Sequence, residues 1–317
     1  MKQEHFSRKS EQDWQTLDAL MSKEKADLQV SDFPRVYRRV CQHLALARSR
    51  LYSNHLIEHL NSLVLRAHQR LYSSNATRKG LMRTFFAQQF PAAVRQEWRL
   101  VWIAALLFYL PFFGMLIGVQ LEPDLVHTVL ETGNLVEMEA MYEPGQDRIG
   151  RERDAENDVM AFAFYIYNNT GIGFRTFASG LLLGLGSIAA LLFNGLFIGA
   201  VAGHLTHIGF NETFWSFVSG HSALELTAIV LSGAAGLRLG LAILSPGRRS
   251  RLEALKWAAK RAVPVISGAA MMFFLAAFVE AFWSSMTFID PMIKYGVGIF
   301  MWLLVLGYFL FLGKAKS

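Results

Sequence analysis

Residues 165–246 read YIYNNTGIGFRTFASGLLLGLGSIAALLFNGLFIGAVAGHLTHIGFNETFWSFVSGHSALELTAIVLSGAAGLRLGLAILSP. The stretch is long and apolar, contains many glycines, and carries a few polar side chains that are costly to bury in hydrocarbon. In a bilayer, glycines let helices approach closely, and buried polar side chains must find partners or line a water-filled pocket. This stretch therefore predicts closely packed membrane-spanning helices, and we expect the function to lie here.

The composition sets the class of protein. The chain has 317 residues, of which 53% are hydrophobic and 18% are charged, and its mean hydropathy is +0.28. It is too apolar for an ordinary soluble enzyme and too charged for a bundle with nothing outside the membrane. We therefore predict an all-α, polytopic membrane protein with helical segments outside the bilayer.

Charge is unevenly distributed along the chain. Residues 1–100 contain 17 Lys and Arg against 9 Asp and Glu, whereas residues 121–158 contain 3 against 11. Basic segments beside a membrane stay cytoplasmic, so the first segment is predicted inside and the second outside. Nucleic-acid binding is the competing interpretation of the basic segment, and we favour it less. Cys41 is the single cysteine, which excludes an internal disulfide and suits a cytosolic position.

The first 100 residues are predicted to be helical. Residues 1–80 form a cytoplasmic helical arm, which begins with a short helix that docks on a partner surface. An amphipathic helix or helix pair follows, capped at Ser31 or Asp32, and its arginines are either solvated or in contact with anionic lipid headgroups. Residues 81–99 place aromatic side chains on one side with arginines around them, which is typical of an interfacial amphipathic helix.

The remaining residues are predicted to cross the membrane about six times. Residues 100–120 form the first transmembrane helix, and residues 121–158 form an acidic extracytoplasmic segment ending in the charged run 151–158. Residues 159–313 form a bundle of about five further helices. Both termini are then cytoplasmic, including the basic tail at Lys316.

One stretch inside this bundle decides the number of crossings. Residues 159–209 are either a hairpin divided near Gly184 or one long broken helix, which gives six crossings or five. Residues 210–219 are predicted as a short outer segment before a crossing at 221–244. A basic inner segment then precedes a crossing at 262–284.

Eight polar side chains come from four of these crossings, and nearly all fall at a similar depth in the outer half: Asn168, Asn169, Arg175, Asn194, His204, His221, Glu225 and Glu280. Asn194 lies deeper than the others. His221 and Glu225 are four residues apart and share a helix face, and Arg175 is the natural ion-pair partner of Glu225 or Glu280. The cluster is either structural glue between helices or a site for a ligand, ion or partner that opens outward.

No catalytic motif accompanies this cluster. The HxxH spacing of His204 and His207 and the HxxxE spacing of His221 and Glu225 are compatible with metal ligands, but HExxH is absent. We therefore predict no catalytic residue, no bound metal and no cofactor.

The runs YNNTGIGFRTFASGLLLGLGSIAALLFNGLFIG and GHSALELTAIVLSGAAGLRLGLAILSPG resemble the stage II sporulation protein M family of integral membrane proteins. The Asn168–Asn169 pair, Asn194 and the His221/Glu225 pair before a glycine-rich helix carry the resemblance. The segments LALARSR and LNSLVLRAHQRLY are similar to longer, non-sporulating members with a cytoplasmic helical domain. The resemblance implies a polytopic inner-membrane protein that localises or scaffolds cell-wall-degrading partners or assembles with AAA-type ATPases, and it transfers no catalytic residue.

The leading prediction is a non-enzymatic protein of the bacterial inner membrane that acts as a partner-binding scaffold in cell-envelope or cell-wall remodelling. It is expected to contact membrane lipids, to bind an envelope protein or an AAA-type ATPase, and to bind no nucleic acid. We expect a homodimer, because the amphipathic arm and the glycine face at Gly195, Gly199 and Gly203 both present surfaces for a partner. The alternative is a transporter or channel that uses the polar cluster, and an intramembrane metal-dependent hydrolase is less favoured.

Overall fold

The computed structural model describes residues 3–21, 32–72, 78–146, 148–150 and 158–314. The predicted cap at Ser31, the charged run up to residue 157 and the tail residue Lys316 lie outside them. The described residues are helical apart from turns and one isolated bridge between Arg148 and Met286, which confirms the predicted all-α class. The α-helices are α1 (Gln3–Met21), α2 (Phe33–Ser49), α3 (Asn54–Tyr72), α4 (Arg78–Thr84), α5 (Phe90–Gln96), α6 (Trp98–Leu121), α7 (Thr132–Tyr142), α8 (Asp158–Ala178), α9 (Leu185–His207), α10 (Asn211–Leu244), α11 (Arg251–Val279) and α12 (Pro291–Phe311).

The chain divides into two compact units, Met1–Leu81 and Met82–Ser317. The N-terminal unit contains α1, α2 and α3, and its apolar residues recur at three- and four-residue spacing, as amphipathic helices require. They meet in a core of their own: Phe6, Trp14, Leu17, Leu20, Phe33, Val36, Val40, Leu44, Ala47, Leu56, Leu60, Leu63 and Ala67. The apolar face of α1 is therefore covered within this unit, and the predicted docking of that helix on a partner surface is wrong.

Polar contacts also hold α1 in the N-terminal unit. Asp13 pairs with Arg39 on α2 at 3.0 Å, and Asp18 pairs with Arg66 on α3 at 3.1 Å. The Trp14 indole donates a hydrogen bond to His43 Nδ1 at 3.2 Å. Burial lowers the pKa of His43, which suits this contact because only an unprotonated Nδ1 can accept it.

The predicted interfacial helix at residues 81–99 is divided into three pieces. A π-helical turn, Phe85–Gln89, lies between α4 and α5, and the backbone leaves helical geometry at Glu97 before α6 begins. Phe90, Pro91 and Val94 are buried. A Cβ atom on Gly268 of α11 would collide with the Phe90 ring. The apolar side of α5 thus packs on protein instead of lying on lipid alone.

In the part of the chain that the structure describes, five helical segments are long and apolar enough to cross a membrane, which confirms a polytopic membrane protein: Trp98–Leu121, Leu185–His207, Asn211–Leu244, Arg251–Ser284 and Pro291–Phe311. The remaining predicted crossing falls on α8, which has 21 residues but carries Asn168, Asn169 and Arg175. Residues 159–209 form two helices, because the chain turns between Ser179 and Gly184, where Gly184 adopts φ +84°.

α8 nevertheless runs along the length of the bundle. A Cβ atom on Gly199 or Gly203 of α9 would lie about 3 Å from Phe112 or Val119 of α6, so α6 and α9 run in the same direction. The chain between them must therefore return to the end of the bundle at which α6 begins. α8 makes this return, because the turn that follows it packs its Gly180 against Gly236 near the end of α10.

Two connections are more helical than the sequence predicted. Residues 211–219 are the start of α10 instead of a separate outer segment, and 67% of the apolar stretch of α10 is buried inside the bundle. Residues 251–261 are the first three turns of α11. This helix begins with a capping box in which the Ser250 hydroxyl accepts a hydrogen bond from the Glu253 amide, and the Glu253 carboxylate accepts one in return, a pattern that stabilises helix starts.

The predicted glycine face on α9 is used inside the chain. Gly195, Gly199 and Gly203 face the backbone of α6 near Phe108, Phe112 and Leu116. Small residues at this spacing let two membrane helices approach closely. The glycine face is therefore a contact between helices of one chain, and the homodimer stays a prediction.

Candidate functional site

Three titratable side chains meet inside the bundle, and we call them the histidine–glutamate cluster: His221, Glu225 and Glu280. His221 and Glu225 lie one turn apart on α10, with His221 Nε2 3.8 Å from Glu225 Oε2. Glu280 is the first residue of a π-helical turn, Glu280–Ser284, that ends α11. One donor atom from each of the three residues lies within 4.8 Å of the others.

Neighbouring polar groups fix the orientation of this cluster. His221 Nδ1 lies 3.0 Å from the Ser284 hydroxyl, and the Asn169 amide donates to Glu280 Oε2 at 3.2 Å. Asn168 in turn donates to Asn169 Oδ1 at 3.0 Å. The π-helical turn therefore supplies both Glu280 and the serine that holds the histidine ring. Single π-turns inserted in α-helices are frequent at functional sites.

Two cavities adjoin the cluster. The first, which we call the polar cavity, has a volume of about 790 Å³ and is lined by side chains that include Asn168, Asn169, Arg175, Asn194 and Tyr165. The second, the apolar cavity, has a volume of about 580 Å³ and is lined largely by aromatic and aliphatic side chains together with His221. Glu225 and Glu280 line both cavities. The two glutamates are thus shared by the cavity that holds most of the polar side chains and by the one lined largely by apolar side chains.

The eight predicted site residues have different roles in the structure. Asn168, Asn169, Arg175, Asn194, Glu225 and Glu280 line the polar cavity, and His221 lines the apolar one. His204 is not among the described residues that line either cavity, and its Nε2 lies 2.7 Å from Glu139 Oε1 on α7. Asn194 donates to the Ala190 carbonyl of its own helix at 2.7 Å, as expected of a structural residue.

The predicted ion pair of Arg175 is not formed. Its guanidinium lines the polar cavity, but no carboxylate of the described residues lies within ion-pair distance. Glu280 accepts a hydrogen bond from Asn169, and Glu225 faces His221. Arg175 instead remains exposed.

Sequence reasoning missed two residues beside the cluster. Lys294 on α12 is only 1% exposed, and its ammonium donates to the Ser284 carbonyl at 2.8 Å, which ties α12 to the π-helical turn. A lysine in the apolar run 291–311 was a visible signal. Tyr142 lines both cavities. Burial, and then the negative charge of Glu280, hold the pKa of Tyr142 well above its usual value, so it remains a neutral phenol.

A second charged cluster lies toward the other end of α10, about 20 Å along the helix from Glu225 at 1.5 Å per residue. Glu97 is 7% exposed and pairs with Arg261 at 2.6 Å and with Arg238 at 3.4 Å. The Trp257 ring lies within 5 Å of the guanidinium carbons of Arg238 and Arg261. The Arg238 guanidinium is thus held by Glu97 and Trp257.

The chemistry of the histidine–glutamate cluster is that of binding. One imidazole and two carboxylates converge where water or an ion can enter from the polar cavity, and such groups inside a membrane bundle mark ion, ligand or proton sites by default. They are held by Ser284 and Asn169, so their geometry is set before a ligand arrives. This cluster is the candidate functional site.

Comparison with known proteins yields two family matches. A model described as a domain of unknown function (DUF8413) matches residues 4–73, the range of the three helices of the N-terminal unit. No curated protein and no solved structure matches the chain. The model described as stage II sporulation protein M matches residues 99–285, which include α6 apart from its first residue, the whole histidine–glutamate cluster and the Asn168–Asn169 pair. Because this match covers more than half of the chain, the protein belongs to the stage II sporulation protein M family.

Proposed function

We propose that this protein is a non-enzymatic scaffold of the bacterial inner membrane that binds partner proteins in cell-envelope or cell-wall remodelling. The observation that carries the proposal is that one chain contains two units, each with a hydrophobic core of its own. The five apolar helical segments found among the described residues lie within residues 98–311, whereas α1–α3 have a core of their own. A helical unit attached to a membrane bundle has the architecture of a binding module on an anchor.

The proposed orientation puts the N-terminal unit in the cytoplasm. Arg95 and Arg99 flank the start of α6. Arg248 and Arg249 lie between α10 and α11, and Arg251 begins α11. Both basic groups belong inside by the positive-inside rule. The contacts of Glu97 with Arg238 and Arg261 support this, because they put these two connections at the same end of the bundle. The test introduces a cysteine at Gly145 in the Cys41→Ser variant and treats intact cells with a membrane-impermeant thiol reagent. We expect the cysteine at position 145 to be labelled, and its failure to react would contradict the orientation.

Native mass spectrometry of the full chain, gently extracted from its own membranes, tests the scaffold proposal. We expect a complex in which the chain and a second protein are present in a fixed ratio, and sequencing of that protein identifies the pathway. A chain that is always free of other proteins, both in this experiment and after chemical crosslinking in intact membranes, would contradict the proposal.

A transporter or channel is the second candidate function. The observation in its favour is that Glu225 and Glu280 line both cavities, as groups on an ion pathway would. If the protein has this function, vesicles containing the purified protein should take up cations. Glu225→Gln should abolish this flux, whereas Glu137→Gln, which changes another carboxylate in the lining of the polar cavity, should not. Equal flux in both variants would exclude a pathway through the cluster.

A further inference from the structure

We propose that His221, Glu225 and Glu280 form a binding site for one divalent transition-metal ion inside the bundle. The inference goes beyond partner binding and does not depend on it. It rests on the convergence of three side chains whose chemistry is that of metal ligands, on the groups that orient them, and on the cavities that give access.

The donor atoms have nearly the right spacing. Metal–nitrogen and metal–oxygen bonds to Zn²⁺ are about 2.0–2.2 Å, so two ligands of one tetrahedral ion lie roughly 3.3–3.5 Å apart. His221 Nε2 and Glu225 Oε2 are 3.8 Å apart, and all three donor atoms lie within 4.8 Å of one another. Small rotations of the two carboxylates would bring the three donors to bonding distance without movement of the backbone.

The surrounding groups have the arrangement of an outer shell of a metal site. A metal-binding histidine usually has its second ring nitrogen fixed by a hydrogen-bonding group, and a ligating carboxylate is itself hydrogen-bonded. Here the Ser284 hydroxyl lies at His221 Nδ1, which leaves Nε2 directed toward Glu225. The Asn169 amide holds Glu280, and the ring of Phe217 meets the imidazole edge to face at 5.3 Å.

The fold explains why sequence spacing did not indicate a metal site. His221 and Glu225 provide only two ligands of an HxxxE pattern, and the third ligand comes from Glu280 on another helix. The π-helical turn at Glu280–Ser284 brings Glu280 and Ser284 to the same cluster. Only the packing of α11 on α10 completes the set.

The ligand set indicates the class of metal. Imidazole favours first-row metals such as Zn²⁺ and Fe²⁺, and carboxylates suit Mn²⁺ as well. Three protein ligands leave positions for water, and the polar cavity of about 790 Å³ beside Glu225 and Glu280 can supply it. An ion there would also neutralise carboxylates that are costly to bury in an apolar bundle.

The experiment measures bound metal in the full-length protein, purified in detergent without a metal-binding tag, stripped with a chelator and dialysed against Zn²⁺ or Mn²⁺. We expect about one ion per chain and an affinity loss of at least ~100-fold in Glu225→Gln, Glu280→Gln and His221→Gln. Asn169→Ala, which removes only an orienting group, should lose about 10–100-fold. Glu137→Gln is the matched control, because Glu137 lines the same cavity outside the cluster, and it should bind as the wild type does.

A spectroscopic measurement keeps the test independent of whether the variants fold. Electron paramagnetic resonance of Mn²⁺ bound to the wild-type protein should show coupling to one imidazole nitrogen. Absence of stoichiometric metal in the wild type would overturn the proposal, as would unchanged affinity in all three glutamine variants. Metal that crosses vesicle membranes but is not retained after dialysis would also overturn a resident site, and it would favour transport instead.

Discussion

Substitution of Gly199 by alanine is expected to lower the free energy of unfolding of the membrane bundle by about 3 kcal/mol, the upper part of the range for overpacking. A Cβ atom at this position would lie 2.9 Å from Phe112 Cα and 3.0 Å from Phe112 C. These are backbone atoms of α6, so no side-chain rotation can relieve the collision. α6 and α9 would have to separate, and the neighbouring contacts of Gly195 and Gly203 would be lost with them.

The control is Gly114→Ala on α6, where an added Cβ meets nothing within 4 Å. Replacement of an unhindered glycine by alanine restricts the unfolded chain and should stabilise by about 0.4–1 kcal/mol, so the two substitutions should have effects of opposite sign. Unfolding by a denaturing detergent, followed by tryptophan fluorescence, measures both. If Gly199→Ala were as stable as Gly114→Ala, the close contact of α6 with α9 would be disproved.

The helices were predictable because each depends on its own sequence. Periodic apolar residues located α2, α3 and the membrane helices, and the errors arose at their ends. Residues 211–219 and 251–261 are polar or basic, and they were assigned to connections although they continue α10 and α11. The Ser250–Glu253 capping box was a readable signal for the true start of α11.

The candidate site was only partly predictable because its members meet through tertiary packing. The four-residue spacing placed His221 and Glu225 on one face, and the common depth correctly grouped Glu280 and Asn169 with them. Nothing in the sequence showed that Arg175 would form no ion pair with Glu225 or Glu280. Partner choice between distant helices is decided by packing, which no local pattern encodes.

Replacement of Glu97 by alanine is expected to destabilise the bundle about as much as the Gly199 substitution does. Removal of one partner of a buried ion pair costs about 3–5 kcal/mol, because it leaves a buried charge uncompensated. Here one carboxylate compensates two guanidinium groups, those of Arg238 and Arg261, whose side chains are 19% and 29% exposed. Water reaches both arginines in part, so we expect a loss near the lower limit, about 3 kcal/mol.

Paired substitutions separate the charge of Glu97 from its packing. Glu97→Gln keeps the shape of the side chain but removes its charge. It should still cause most of the loss of stability expected for Glu97→Ala, because the Trp257 ring would then be the main group facing both cations. Adding Arg261→Met to Glu97→Gln removes one of the uncompensated charges and should restore part of the loss. Glu122→Gln, at the exposed far end of α6, should change stability little. Unfolding by a denaturing detergent measures all four chains. If Glu97→Gln were as stable as Glu122→Gln, the carboxylate would not be what holds α6, α10 and α11 together at this end of the bundle.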